Sequence, residues 1–104
     1  MQPDATQLLA MLGDLALVQE RFDRARTYYN QIEAKVHDDL ENAFMLTCVE
    51  SRSGHLSEAL KWLELSLRRG YRDYKELNRN EQLSALRSDP RFIPLIRHNF
   101  PEET

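Results

Sequence analysis

Apolar residues recur at three- and four-residue steps along most of this chain, which is the spacing of one face of an α-helix. The clearest stripe lies between Gly54 and Gly70 and consists of Leu56, Ala59, Leu60, Leu63 and Leu67. A small residue such as Ala59 in the middle of a stripe lets a second helix approach closely. The pattern therefore predicts the second helix of a tight helical hairpin, ended by Gly70 in a left-handed conformation.

Three further helical patterns precede this one. The first begins after Asp4, which with Gln7 fits a capping box, and it is apolar on nearly all sides. The next two stripes consist of Phe22, Ala25, Tyr29 and Ile32, and of Ala43, Phe44, Leu46 and Val49. The acidic run at 38–41 predicts the start of the third helix. Because the turns between these patterns are very short, neighbouring helices are expected to be antiparallel.

The last third of the chain has a different pattern of short segments. Residues 73–76 and 81–87 each predict a short helix. Asp89 and Pro90 predict the cap and first position of another helix, which Asn99 and Pro101 end.

Composition narrows the functional classes. The 104 residues include 14 Lys and Arg against 17 Asp and Glu, a net charge of -3 with no basic block. This balance argues against nucleic acid or a membrane surface as the partner. The single cysteine, Cys48, excludes an internal disulfide and fits a reducing compartment. Since no signal peptide or membrane-spanning run is visible, we expect one domain (residues 1–104) in the cytoplasm.

The two halves of residues 4–70 resemble each other. A shift of thirty-four residues places Leu12 on Leu46, Phe22 on Leu56, Ala25 on Ala59 and Tyr29 on Leu63. Helix–turn–helix units of about 34 residues are typical of tetratricopeptide repeats. Leu9-x-x-Leu12-Gly13 and Ala25-x-x-x-Tyr29 resemble the motifs of that family, and the second half is a weaker copy.

The chain departs from the family pattern at four positions. Ala16 and Glu50 stand where the family has an aromatic residue, and His37 and Tyr71 stand where it usually has proline. The tail, with Leu83-x-x-Leu86-Arg87-x-Asp89-Pro90-Arg91-Phe92, resembles the ending that closes many arrays of this family. The resemblance implies an all-α fold with two antiparallel hairpins (4–37 and 38–70) and C-terminal capping helices (71–98).

The resemblance also implies a non-enzymatic module that binds a protein or peptide in a concave groove. The residues at groove positions are Gln7, Ala10, Met11, Asp14, Leu17, Glu41, Phe44, Met45, Cys48 and Arg52. This Met-rich surface suits a helical or extended peptide with hydrophobic anchors. Some relatives hold a C-terminal carboxylate with Lys and Asn, a clamp that this chain lacks. An alternative to the groove assignment is that Phe44 and Met45 complete the core or contact the tail.

Catalysis finds little support in the sequence. Phosphate-loop, HExxH, CxxC and GxSxG motifs are all absent. Cys48 and His55 lie seven residues apart, but a partly buried thiol is the favoured interpretation of the cysteine. We therefore expect no catalytic residue, cofactor or metal, although a small enzyme or nucleotide binder whose residues converge only in three dimensions is an open alternative.

The apolar first helix predicts a further interaction surface formed by Leu8, Met11, Leu15 and Val18. These residues could form a homodimer, or they could be covered by other repeats if the chain is the C-terminal part of a longer protein. The pattern leaves open the identity of the partner, the pathway and the oligomeric state.

Overall fold

The computed structural model describes residue 2 and residues 4–104 of the chain. It contains α1 (Ala5–Val18), α2 (Phe22–Lys35), α3 (Leu40–Arg52), α4 (Leu56–Arg68), α5 (Tyr74–Arg79), a 3-10 turn (Glu81–Leu83), α6 (Ser84–Arg87) and α7 (Phe92–Asn99). No strand occurs among these described residues, so the predicted all-helical class is confirmed.

The first two helices form a hairpin whose close packing depends on Gly13. A Cβ atom at position 13 would lie 2.7 Å from Cε1 of the Tyr29 ring, which is closer than real Cβ atoms come. The Tyr29 ring is fully buried, and its hydroxyl donates a hydrogen bond to the Asp14 carboxylate. Burial, together with this bond, raises the pKa of Tyr29. The absence of a side chain at Gly13 therefore makes room for the largest core residue of α2.

The two hairpin turns repeat the same hydrogen bonds thirty-four residues apart. In the first turn the Arg21 amide donates to the Ala16 carbonyl at 2.8 Å, and in the second the His55 amide donates to the Glu50 carbonyl at 2.9 Å. Both turns contain a left-handed residue at the equivalent position, Glu20 with φ 61° and Gly54 with φ 82°. The internal repeat read from the sequence is therefore also a repeat of backbone geometry.

Capping residues predict three helix starts, at Asp4, within 38–41 and at Asp89, and the first two are confirmed. Asp4 and Gln7 form the predicted capping box, and the Asp39 carboxylate accepts from the Asn42 amide at the start of α3. The third prediction is wrong because α7 begins at Phe92, two residues after Pro90. The Asp89 carboxylate instead accepts hydrogen bonds from the Arg91 amide and guanidinium, which holds residues 89–91 in a turn.

A partly buried polar network joins the second hairpin to the first. The Arg69 guanidinium, at the C-terminal cap of α4, pairs with Glu33 on α2 and donates to the Asp39 carbonyl at 2.9 Å. The Asn42 amide donates to Glu33 Oε2 at 2.8 Å and to the Tyr29 carbonyl at 3.0 Å. Burial alone would raise the pKa of Glu33, but the hydrogen bonds from Arg69 and Asn42 outweigh it and lower that pKa. The network fixes α2 against α3 and α4.

A second ion pair bridges the hairpins at their opposite end. Glu50, a buried residue of α3, accepts two hydrogen bonds from Arg26 of α2, at 2.6 and 3.0 Å. His55 Nδ1 lies 3.1 Å from the same carboxylate. Burial acts to raise the pKa of Glu50, and the bonds from Arg26 and His55 bring it below the usual value. A charge-assisted pair thus occupies the position where the repeat motif has an aromatic residue.

The C-terminal helices cover the outer side of the second hairpin. Their fully buried side chains are Leu77, Leu83, Leu86 and Phe92, and they belong to the same core as the two hairpins. The segment 81–87, expected as one helix, is divided into the 3-10 turn and α6. The Tyr71 ring stacks on Phe44 with centroids 4.6 Å apart. The tail therefore shields an apolar face of α3.

Candidate functional site

A concave cavity of about 310 Å³ lies between α1 and α3, the first helices of the two hairpins. The Arg52 guanidinium of α3 donates to the Leu17 carbonyl of α1 at 3.1 Å, so the ends of the two helices lie side by side. The cavity is lined by Thr6, Gln7, Ala10, Asp14, Tyr29, Ile32, Asp39, Glu41, Asn42 and Met45. Its two walls come from α1 and the start of α3, and its floor comes from α2.

Five of the predicted groove residues line this cavity: Gln7, Ala10, Asp14, Glu41 and Met45. Met11 belongs to α1 but is exposed and does not line the cavity. Arg52 lies at the turn end of α3, where it pairs with Glu20 at 3.0 Å and sits over the Phe22 ring. Five of the ten residues predicted to form a groove therefore share one cavity.

Three other predicted groove residues are part of the core. Leu17, Phe44 and Cys48 are all buried, and Phe44 is covered by Tyr71. They leave at most 5% of their surface exposed, and the contact of Phe44 with the tail corresponds to the alternative interpretation above. Burial raises the pKa of the Cys48 thiol to about 12, which keeps it protonated at neutral pH. His55 faces Glu50.

Five residues that line the cavity were not among the predicted groove residues: Thr6, Tyr29, Ile32, Asp39 and Asn42. Asn42 lines the cavity three residues before Met45, on the same face of α3, and it is buried with only 4% of its surface exposed. A polar residue three positions from a predicted groove residue is the only sequence signal that pointed to it. Asp39 was recognised as a capping residue but not as part of the groove.

The charges that line the cavity are all negative. Within the described part of the chain, Asp14, Asp39 and Glu41 contribute carboxylates and no Lys, Arg or His side chain lines it. Arg69 donates to the Asp39 backbone carbonyl but pairs its charge with Glu33. The groove thus combines an apolar surface, from Ala10 and Met45, with an acidic rim.

The predicted outer face of α1 is exposed. Leu8, Met11, Leu15 and Val18 have 48%, 59%, 54% and 77% of their surface accessible. The equivalent positions of α3 are Asn42, Met45, Val49 and Arg52, and Asn42 and Arg52 bond to the first hairpin. Two residues of this face, Asn42 and Val49, are therefore buried in the second hairpin, whereas all four are exposed in the first.

A second cavity, of about 520 Å³, lies beside the two hairpin turns and is lined by several arginines. Two of them are already paired, Arg26 with Glu50 and Asp23, and Arg52 with Glu20. Arg21 and Arg24 line it as well, so this cavity brings four arginine side chains together.

Residue 2 and residues 4–104 contain neither a metal-binding cluster nor a membrane-spanning helix. No group of three His, Cys, Asp or Glu side chains there is placed to hold a metal ion. None of the helices in that part of the chain has the length and hydrophobicity needed to cross a membrane. No family model matches the chain, and neither does any curated protein or solved structure.

Proposed function

We propose that this chain is a non-enzymatic, tetratricopeptide-like interaction module that binds a peptide or helix of a partner protein in the α1–α3 groove. The observation that carries the proposal is the concave cavity between the first helices of two successive hairpins. The thirty-four-residue repetition of turn geometry, at Glu20 and Gly54, supports the relationship to helical repeats.

The groove has the physical properties of a peptide site. Ala10 and Met45 provide apolar surface, and the flexible side chain of Met45 adapts to differently shaped residues. Gln7 and Glu41 are exposed at the edges, where they can bond to a peptide backbone. The floor is rigid because Tyr29 and Ile32 are buried core residues.

The chemistry of the groove supports binding over catalysis. Its ionisable side chains are carboxylates and Tyr29, and the raised pKa of Tyr29 keeps its hydroxyl protonated and bonded to Asp14 at neutral pH. Cys48 is buried, so it offers no accessible nucleophile. A reduced, buried cysteine also supports a location in a reducing compartment such as the cytoplasm.

Two methionines on equivalent helices provide a matched test. Met45 lines the groove, whereas Met11 lies on the exposed face of α1. For a peptide selected from a random 12-residue display library, we expect Met45→Ala to raise Kd at least fivefold and Met11→Ala to change it less than twofold. The peptide should shift amide resonances of α1 and the start of α3. Sensitivity to Met11→Ala alone would refute the groove assignment.

A second candidate is a homodimer through the outer face of α1. It is favoured by one observation, the exposure of four large apolar side chains on a single helix. If it is correct, light scattering should give the mass of a dimer, and the double variant Leu8→Glu/Met11→Glu should be a folded monomer. An unaltered dimer in that variant would exclude α1 as the interface.

A further inference from the structure

The cavity beside the two hairpin turns has more positive than negative groups around it. Besides His55, its ionisable lining residues are four arginines and two carboxylates: Arg21, Arg24, Arg26, Arg52, Glu20 and Asp23. Its volume of about 520 Å³ lies within the range of about 300–1,000 Å³ that is usual for sites that bind small ligands. None of the residues that line it also lines the α1–α3 groove. The two cavities are therefore separate candidate sites.

Two of the arginines are held in place by the protein. Every nitrogen of the Arg26 guanidinium bonds to a protein acceptor, chiefly the Glu50 carboxylate. The Arg52 guanidinium donates one bond to the Leu17 carbonyl and one to Glu20. A guanidinium carries five N–H groups, so these two bonds leave donors of Arg52 free. Glu20 has 71% of its side chain exposed, and an exposed pair of this kind is weak. Arg26 is therefore a structural group, whereas Arg52 is fixed in position and can still donate to a ligand.

Arg21 and Arg24 are exposed cations at the positive end of α2. Arg21 is the N-cap residue and makes no side-chain capping bond, and Arg24 lies in the first turn. Neither guanidinium forms an ion pair within residues 4–104. A cation at the N-terminus of a helix is unfavourable, because the helix dipole is positive there. In the second hairpin the residue equivalent to Arg24 is Glu58, which has the favourable charge. The first hairpin therefore carries two unpaired cations that a bound anion would stabilise.

We propose that this cavity binds a phosphate monoester, with Arg21, Arg24 and Arg52 as the donors. The phosphoryl group of a monoester carries a charge of about −1.5 to −2 at pH 7 and three strong acceptor oxygens. Guanidinium groups bind phosphate oxygens with paired N–H donors, and the start of a helix also favours an anion. A site for this group is a function beyond peptide binding in the α1–α3 groove, and it does not depend on that function.

A phosphate monoester fits these residues better than other anions do. A single carboxylate can be satisfied by one guanidinium, as Glu20 is by Arg52. It also carries only one charge against the repulsion of Glu20 and Asp23, which line the same cavity. The row of phosphates in a nucleic acid needs a basic stripe, and the chain has no basic block. The monoester can come from a phosphorylated side chain of a protein or from a small metabolite, and both present the same phosphate group.

Inorganic phosphate is the first probe of the site. It is added to the isotopically labelled chain at about pH 7.5, followed by NMR, with sodium chloride adjusted to keep the ionic strength constant. We expect saturable shifts of the amides of residues 21–24, with Kd on the order of 1 mM. The amides of the groove residues Ala10 and Met45 should not shift. A phosphoserine pentapeptide and glucose 6-phosphate are then titrated in the same way to identify the source of the phosphate group.

Substitution of single arginines by glutamine tests the donors. Arg21→Gln and Arg24→Gln should each raise Kd about tenfold, because each removes hydrogen bonds between charged groups. Arg97→Gln, an exposed change of equal charge on α7, should leave Kd unchanged within about twofold. Glu20→Gln should lower Kd about threefold, because it removes a carboxylate that competes for Arg52.

Stability distinguishes a binding residue from a structural one. In phosphate-free buffer, Arg24→Gln should leave the urea midpoint unchanged or raise it slightly, since it removes a cation from the N-terminus of α2. A lower midpoint would show that Arg24 stabilises the fold and would remove it from the proposed site.

The three probes separate the outcomes. The proposal is supported if either ester binds more tightly than inorganic phosphate and both arginine substitutions weaken that binding. Tighter binding of the phosphoserine peptide, with none of its unphosphorylated form, indicates a modified partner protein, and tighter binding of glucose 6-phosphate indicates a small metabolite. Binding of inorganic phosphate but of neither ester would mean an adventitious ion only and would overturn the proposal.

Two other results would also overturn it: no saturable shift with any probe, or shifts that persist in the double variant Arg21→Gln/Arg24→Gln. Peptides selected for the α1–α3 groove should bind that double variant normally, so either proposal can fail without the other.

Discussion

Replacing Gly13 with alanine tests how tightly α1 packs on α2. Helix propensity alone predicts that Gly13→Ala should stabilise the protein, by about 1 kcal/mol, because alanine is the better helix former. The structure predicts the opposite sign. The new methyl group would lie 2.7 Å from Cε1 and 2.8 Å from Cζ of Tyr29, so the ring must move.

The expected loss of stability follows from what holds the Tyr29 ring. Overpacking a well-filled core costs about 1–3 kcal/mol. A displaced ring also weakens the hydrogen bond to Asp14, and a bond to a charged group contributes about 1.5–3 kcal/mol. After the gain in helix propensity is subtracted, we expect Gly13→Ala to lower the free energy of unfolding by about 2 kcal/mol.

Urea unfolding followed by circular dichroism and by Trp62 fluorescence measures this change. Domains of this size have a slope near about 1–1.5 kcal/mol per molar urea, so the midpoint should fall by about 1–2 M. The pair Thr27→Ala and Thr27→Gly, at an exposed position of α2, measures the propensity difference without a packing change. An unchanged or higher midpoint for Gly13→Ala would show that the ring has room and that the packing argument is wrong.

The second hairpin suggests how to relieve the clash. In that hairpin, Thr47 of α3 stands in place of Gly13 and Leu63 of α4 in place of Tyr29, and both are buried. A larger residue on α3 is therefore accompanied by a smaller one on α4. Gly13→Ala should therefore cost at least about 1 kcal/mol less in a Tyr29→Leu background, since residues in contact are not additive. Additive effects would mean that the two positions do not compete for space.

Three further predictions concern stability and reactivity. Glu20 and Gly54 both have left-handed backbones, which glycine adopts more easily than other residues. Glu20→Gly should therefore raise the free energy of unfolding by about 0.5–1 kcal/mol, and Gly54→Ala should lower it by about 1 kcal/mol. Urea midpoints measure both changes, and a shift of both variants in the same direction would refute the prediction. The folded state lowers the pKa of Glu33 and of Glu50, so the ionised form of each carboxylate stabilises the fold. This stabilisation is complete above the pKa of an unfolded glutamate, about 4.3, and is lost as the pH falls through the lower pKa values of the folded state. The urea midpoint should therefore decrease when the pH is below about 4, and this decrease should be smaller in Glu33→Gln. An equally large decrease in Glu33→Gln would show that Glu33 is not a source of the pH dependence. The Cys48 thiol should react with a disulfide reagent at pH 8 only as fast as the chain opens, so reaction within seconds in buffer would contradict its burial.

The helices could be predicted from the sequence because their signals are local. The apolar stripes gave the four long helices, and the Asp4–Gln7 box and Gly54 marked two of their ends correctly. The start of α7 was misplaced because Asp89 can cap a turn as well as a helix, and only the bonds to Arg91 distinguish the two. Such competition between local hydrogen bonds is not visible in the pattern of apolar residues.

The groove was only partly predictable because its residues depend on contacts between distant segments. Position in the repeat identified Asp14 and Met45, but it could not show that Tyr71 stacks on Phe44 and removes it from the surface. The burial of Glu50 was also unexpected, since its partner Arg26 lies twenty-four residues away. Periodicity shows which side of a helix faces inward, and tertiary packing decides what covers that side.

The two walls of the groove differ in how they are held, which has a consequence for motion. α3 is fixed by α2, α4 and the C-terminal helices, whereas α1 packs mainly on α2 and has an open outer face. Local opening should therefore release α1 at a lower free energy than α3, so its amides should exchange with deuterium faster. A peptide that contacts both walls must hold α1 in place, and slower exchange in α1 would then report that the groove is occupied.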